Sequence, residues 1–239
     1  MQGNVRGVLF DFGGTLSKHQ APLIIQKILV DQGISCQLDL LEKAVVSASE
    51  QDALNAIRSE FRGYTAPGEL EEYVRINRLI LAHAGIHSNQ DDLAHLIDEK
   101  WSDYSSAVGR EAFEDVVPCL NTLRESKLRM GVVSNIDSKE ELRKGVADLG
   151  VEDYFQTLVA SGEVGYVKPQ PEIFQIASKE LQLTPANLAH VGDLYATDVL
   201  GAKSAGIAGI LLDRDDRLPG AGCRRILSLE ELPSMLEEL

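Results

Sequence analysis

Four short segments of the chain carry side chains suited to phosphate chemistry. In VLFDFGGTL an apolar run ends in Asp11, followed by Gly13, Gly14 and Thr15. A buried strand that stops there places an acid, backbone amides and a hydroxyl around one concavity, which suits a carboxylate nucleophile facing an anion. Ser134 and Asn135 close a second run, MGVVSN; Lys168 lies in GYVKPQPEIF; Asp193 and Asp198 share HVGDLYATD. For a phosphate ester, Asp11 can attack phosphorus and split one displacement into two. Lys168 can neutralise the nucleophile and the charge developing on the phosphoryl oxygens. Ser134, with Asn135 beside it, and the amides of the Gly13–Gly14–Thr15 turn can bind those oxygens. Asp193 beside Asp11 makes an oxygen-rich pair suited to Mg²⁺, and Asp198, one helical turn on, suits an orienting role behind it.

These segments act together only if the fold brings them to one edge. Five apolar runs alternate with helical patterns: Gly7–Phe10, Met130–Ser134, Thr157–Ala160, Leu188–Gly192 and Gly209–Leu212. That order predicts an α/β protein with a Rossmann-like parallel sheet of about five strands. Ligands of such sheets bind beyond the carboxyl ends of the strands at the switch point, where all four segments fall. Between the first two runs the chain makes a detour of more than a hundred residues, and its patterns are helical. Pro22–Gln32, Asp39–Phe61 and Pro67–Ala84 read as three helices, and Ser88 or Asn89 caps a fourth holding Leu93, Leu96, Ile97 and Trp101. Four helices without strands predict a small all-helical bundle inserted into the sheet domain. The expected division is a core of residues 1–17 and 109–239 and an insert of residues 18–108.

Composition narrows the partners. The 239 residues carry 37 acidic and 23 basic side chains, a net charge of −14, which argues against nucleic acid and anionic membranes. No stretch approaches the ~20 apolar residues of a membrane span, and the start enters the first strand at once. Cys36, Cys119 and Cys223 follow neither metal nor disulfide spacing, and a reducing, cytoplasmic setting fits them. His83 and His87 are four apart, but Gly85 between them marks a helix end rather than a metal-binding face.

In order and spacing, DFGGTL, VVSN, the KPQPEIF segment and GDLYATD resemble the motifs of the haloacid dehalogenase-like hydrolase superfamily over essentially the whole chain. The resemblance implies that the helical insert is a cap domain, which closes over the site and selects substrate. It implies Asp11 as nucleophile, and Mg²⁺ held by Asp11, the carbonyl of Gly13 and Asp193. Ser134 and Lys168 would bind the phosphoryl group of a small phosphorylated metabolite. One position departs from the pattern. Phosphatases of the family usually carry a second Asp two residues after the nucleophile as general acid and base, and here that residue is Gly13. General acid–base catalysis contributes ~10²–10⁴-fold, so alkyl phosphates, whose leaving group needs a proton, should turn over slowly. His19 is a candidate substitute, and Lys18, His19, Arg62, Tyr64, Tyr73 and Arg75 are candidates to meet a polar substrate.

Two other readings stay open on this sequence. A metal-independent 2-haloacid dehalogenase uses the same aspartate to attack carbon and also lacks the second acid. Such enzymes generally lack an acid at the place of Asp193 and tend to carry Tyr where this chain has Phe174. A catalytically weakened binding or regulatory protein has only Gly13 in its favour.

Overall fold

The computed structural model describes residues 5–60, 70–105 and 107–239. Its elements, in chain order, begin with β1 (Gly7–Phe10) and four helices: α1 (Ala21–Asp31), α2 (Leu38–Arg58), α3 (Leu70–His83) and α4 (Gln90–Ser105). There follow α5 (Val116–Glu125), β2 (Arg129–Ser134), α6 (Lys139–Asp148), β3 (Thr157–Ala160), α7 (Ser161–Val164) and α8 (Pro171–Glu180). After β4 (Leu188–Gly192) come a π-helical turn (Tyr195–Leu200), α9 (Gly201–Ser204), β5 (Ala208–Leu212), β6 (Arg224–Ile226) and α10 (Leu232–Glu237). The chain divides into two compact units: Met1–Lys18 with Glu111–Leu239, and His19–Arg110.

The first unit holds a parallel sheet in the order β3-β2-β1-β4-β5-β6. It is an α/β, Rossmann-like sheet with helices on both faces. β1 and β4 are buried along their whole length, which is why each reads as a continuous apolar run. Alternation along each strand then divides the core in two. Val8, Phe10, Met130, Val132, Ala189 and Val191 join residues of α5, α6 and α10 in one cluster. Leu9, Val133 and Val159 join Ile173, Phe174 and Ala177 of α8 in the other. Each fully buried Leu, Ile or Phe in these layers stabilises the sheet by about 1.5–3 kcal/mol.

The sheet has six strands, one more than the apolar runs indicate. β6 is only Arg-Arg-Ile, yet Ile210, Leu211 and Leu212 pair with its residues Arg224, Arg225 and Ile226. Two arginines at a sheet edge carry no hydrophobic signal, and they are the charges expected on an edge strand. α6 starts where Ser138 Oγ accepts the Glu141 amide at 3.1 Å. Ahead of α10, Ser228 and Glu231 form a capping box.

The second unit is built from α1 to α4 around Ile24, Ile25, Ile28, Leu29, Leu41, Leu81, Leu93 and Ile97. Gly33, with φ +74°, follows α1, as its place at the end of the pattern indicates. α4 begins at Gln90, but Asn89 has φ +54°, so it is a left-handed turn residue rather than the extended cap expected there. The end expected for α2 at 61–63 and the start expected for α3 at Pro67 lie outside the described residues.

Candidate active site

β1 lies between β2 and β4, so its carboxyl end is the switch point of the sheet. The Asp11 amide donates to Val191 O at 2.9 Å, which continues the β1–β4 ladder by one bond and fixes the carboxylate at that edge. Lys168, only 4% exposed, donates from Nζ to Asp11 Oδ1 at 2.5 Å and to Asp198 Oδ1 at 2.7 Å. One ammonium is therefore clamped between two buried carboxylates that stand 187 positions apart in sequence (11 to 198). Asp193 completes the group: one carboxylate oxygen from each of Asp11, Asp193 and Asp198 lies within 4.8 Å of the others.

Local sequence explains each placement. Lys168 is held by its own backbone. Its amide donates to Asn135 Oδ1 at 2.7 Å, and its carbonyl accepts from Asn135 Nδ2 at 3.0 Å. Asp198 lies in the π-helical turn after β4, where its Oδ2 accepts the Leu194 amide at 3.1 Å. A Cβ on Gly192 would sit 2.2 Å from Asp198 Cγ, so only glycine at this strand end leaves room for that carboxylate. A third donor reaches Asp198 from the strand itself, His190 Nε2, at 2.9 Å from Oδ1.

The charges are strongly coupled. Burial pushes the Asp11 carboxyl up to about 7; Lys168 pulls it down, and the Asp198 and Asp193 carboxylates push it up again. For Asp198, burial is outweighed by Lys168 and the His190 N–H, which hold it below the usual carboxylate range. For Lys168, burial is likewise outweighed by the two carboxylates, which raise it above an ordinary lysine. Burial lowers His190, against the Asp198 carboxylate, which raises it.

With three carboxylates gathered and one ammonium shared by two of them, the cluster carries excess negative charge once all are ionised. A hard divalent cation with oxygen ligands fits that donor set. The oxygens of Asp198 are engaged by Lys168, His190 and the Leu194 amide. Asp11 and Asp193 are thus the carboxylates placed to hold a cation, with Asp198 behind them.

Several sequence expectations change in detail. Ser134 does lie at the carboxyl end of β2, 6% exposed. Asn135, expected to bind phosphate with it, also holds the lysine: its Oδ1 and one of its two Nδ2–H groups close on the Lys168 backbone. The Gly14 amide, also expected on phosphate, donates to Ser17 O at 2.7 Å, with Gly14 at φ +80°. Thr15 has no exposed surface, and its carbonyl accepts from Arg214 at 3.1 Å. Within the Gly13–Gly14–Thr15 turn only Gly13 is partly exposed.

Two groups escaped the sequence reading altogether. His190 looked like one more member of a buried strand; a lone titratable residue in an otherwise apolar run was the signal. Arg217, in the loop after β5, donates to the Asp193 carbonyl at 2.9 Å and is itself anchored by Asp213, through the Arg217 amide at 2.9 Å. No motif points to that contact.

Of the residues considered for polar substrate, Lys18 pairs with Glu111 at 2.5 Å and Arg75 with Asp52 at 2.8 Å. His19 and Tyr73 belong to the helical unit, and Arg62 and Tyr64 lie outside the described residues. His83 meets Gln51 at 2.7 Å, and His87 lies beyond the end of α3.

The model of the haloacid dehalogenase-like hydrolase family matches residues 5–206. The chain is 31% identical over 153 residues to haloacid dehalogenase-like hydrolase domain-containing protein 3 of Bos taurus, covering 64% of this chain and 59% of that protein. It is 33% identical over 102 residues to the glyceraldehyde 3-phosphate phosphatase of Methanopyrus kandleri, 43% of each chain. An (S)-2-haloacid dehalogenase 2 of a Pseudomonas species is 23% identical over 237 residues, 97% of this chain and 96% of that one. The chain thus spans little more than half the length of the first of these relatives. A crystal structure of a predicted phosphoglycolate phosphatase from Haemophilus somnus superposes with a TM-score of 0.71 at 16% identity, covering 97% of this chain and 98% of that one.

Proposed function

We propose that this chain, which belongs to the haloacid dehalogenase-like hydrolase family, is a Mg²⁺-dependent phosphatase of small phosphorylated substrates that works through an aspartyl-phosphate on Asp11. The observation that carries the reading is the third carboxylate, Asp193, gathered with Asp11 and Asp198, the two that share the Lys168 ammonium. A metal-free attack on carbon has no use for an acid there. A cation-assisted attack on phosphorus does.

In this reading Asp11, the Gly13 carbonyl and Asp193 hold the cation. When bound it neutralises phosphoryl charge and favours the ionised nucleophile. Asp11 attacks phosphorus with one carboxylate oxygen, and the bond to the leaving oxygen breaks. Lys168 remains beside the nucleophile and offsets the charge spreading over the phosphoryl oxygens, with Ser134 as a further donor. Asn135 and Asp198 keep the lysine in place. Water then attacks phosphorus, releasing inorganic phosphate and returning Asp11 to its carboxylate. Position 13 has no side chain to protonate the leaving group, so the substrates that fit best are acyl, aryl and other phosphates whose leaving groups depart unprotonated.

The second reading is the metal-independent 2-haloacid dehalogenase, favoured by a relative aligned over nearly the full chain and by Gly13. One experiment separates the two. Hydrolysis of an aryl phosphate that needs Mg²⁺, stops with chelator and is lost in Asp11→Asn supports the phosphatase. Halide release from 2-chloropropionate in chelator, with the aryl phosphate untouched, overturns it.

A further inference from the structure

His190 has no role in the reaction outlined above. It is wholly buried on β4, between Leu9 of β1 and Gly209 of β5 in the sheet register. The Phe174 ring packs against it edge-on, with centroids 5.0 Å apart at 80°. Its Nε2 lies 2.9 Å from Asp198 Oδ1, the same oxygen that accepts Lys168 Nζ at 2.7 Å. Because an ionised carboxylate only accepts, Nε2 must carry the proton. In the neutral ring Nδ1 then has a lone pair, and that atom is buried without a hydrogen-bond partner. An apolar side chain would fill the strand position with no such orphan. What it cannot supply is the N–H on Asp198.

We infer that His190 is a positioning residue for the hydrolytic reaction: by donating to Asp198 Oδ1 it limits that carboxylate's hold on Lys168, so that the ammonium is shared with Asp11. Asp198 Oδ1 divides its acceptor capacity between two donors. With the imidazole removed, the whole of it falls on Lys168, and Nζ is drawn from the nucleophile toward Asp198. The cost falls on attack and departure, where Lys168 must offset charge at Asp11 and phosphorus, and less on substrate binding. The inference rests on the phosphatase reading for its kinetic consequence, while the contact itself does not depend on it.

The test uses the full chain and two substitutions, with p-nitrophenyl phosphate and saturating Mg²⁺. His190→Met is close in volume and has no donor, whereas His190→Gln keeps an N–H at similar reach. Loss of a hydrogen bond to a charged group predicts that His190→Met lowers kcat about tenfold with KM within twofold. Its thermal midpoint should fall as well, because buried Asp198 loses a donor, so kcat measured on folded protein is the deciding readout. His190→Gln should keep kcat within threefold of the parent. A merely structural histidine would lower the midpoint and leave kcat intact in the protein that stays folded, and that result overturns the inference. So does a Gln variant as slow as the Met variant. Should His190→Met not fold, His190→Gln decides alone, a tenfold loss of kcat counting against. Imidazole ¹⁵N shifts without substrate read the contact directly: protonated Nε2 with bare Nδ1 supports it, and the opposite tautomer overturns it. If no phosphate ester were hydrolysed at all, the phosphatase reading would fail while the tautomer still judged the contact.

Discussion

Replacing Lys168 by methionine isolates the electrostatics of the site. The side chain is 2% exposed and is the cation shared by Asp11 and Asp198. Methionine fills much of the same volume but leaves both carboxylates buried without it. Breaking a buried ion pair from one side costs about 3–5 kcal/mol, because the remaining charge is uncompensated. For a chain of this size each kcal/mol moves the midpoint by about 2–4 °C, so a fall of roughly 6–20 °C is expected at neutral pH without metal.

The pH dependence gives this prediction its sharper edge. The folded Asp11 pKa is raised to about 7, so its contribution to stability is full below the ordinary carboxylate value and is lost as pH rises through about 7. Asp198 is lowered by Lys168 and His190 against the effect of burial; its contribution is present above the ordinary value and lost as pH falls through the lowered one. Without the lysine both carboxyls resist ionising, and Asp11 takes up a proton first as the pH drops. The deficit of Lys168→Met should therefore be largest near pH 8 and shrink toward pH 5. Urea or thermal melts of parent and variant at the two pH values, in chelator, measure it. A deficit equal at both pH values, or below about 1 kcal/mol at pH 8, would refute the assignment of Lys168 as the shared counter-ion.

Three further substitutions test separate parts of the site. Gly13→Asp should raise turnover of alkyl phosphates more than that of aryl phosphates, since only the former need a proton; equal effects would mean another group already supplies it. Gly192→Ala puts a Cβ against Asp198 and should lower kcat more than tenfold, measured on folded protein, whereas unchanged kcat would free Asp198 of any role. Asp115→Ala removes the acceptor of Arg214, Ser228 and the Leu229 amide, and should cost about 2–4 kcal/mol in a urea melt while kcat stays within threefold.

The sequence makes the sheet legible because its strands are buried on both faces, so that Val8–Phe10 and Leu188–Gly192 stand out as apolar runs. It makes Asp11, Lys168, Asp193 and Asp198 legible because each stands in a turn just past such a run, or soon after one. What it conceals is partnership. Asn135 and Lys168 are 33 positions apart, and nothing local says that the asparagine amide will close on that backbone. The Gly14 amide looks available until the turn folds and Ser17 O takes it. His190 and Arg217 meet Asp198 and the Asp193 carbonyl, contacts fixed by neighbouring strands and loops rather than by spacing. β6 escapes for the opposite reason, since its pairing is supplied by β5 and not by its own side chains.

If Asp11 attacks phosphorus with the help of a cation, its carboxylate carries the phosphoryl group during turnover. Acid quenching of the protein during turnover of p-nitrophenyl phosphate with Mg²⁺, followed by peptide mass mapping, tests it most directly. The peptide containing Asp11 should gain the mass of one phosphoryl group, and the adduct should be absent in Asp11→Asn and in chelator. Turnover with no adduct on that peptide, or an adduct formed on another residue, would rule out Asp11 as the nucleophile.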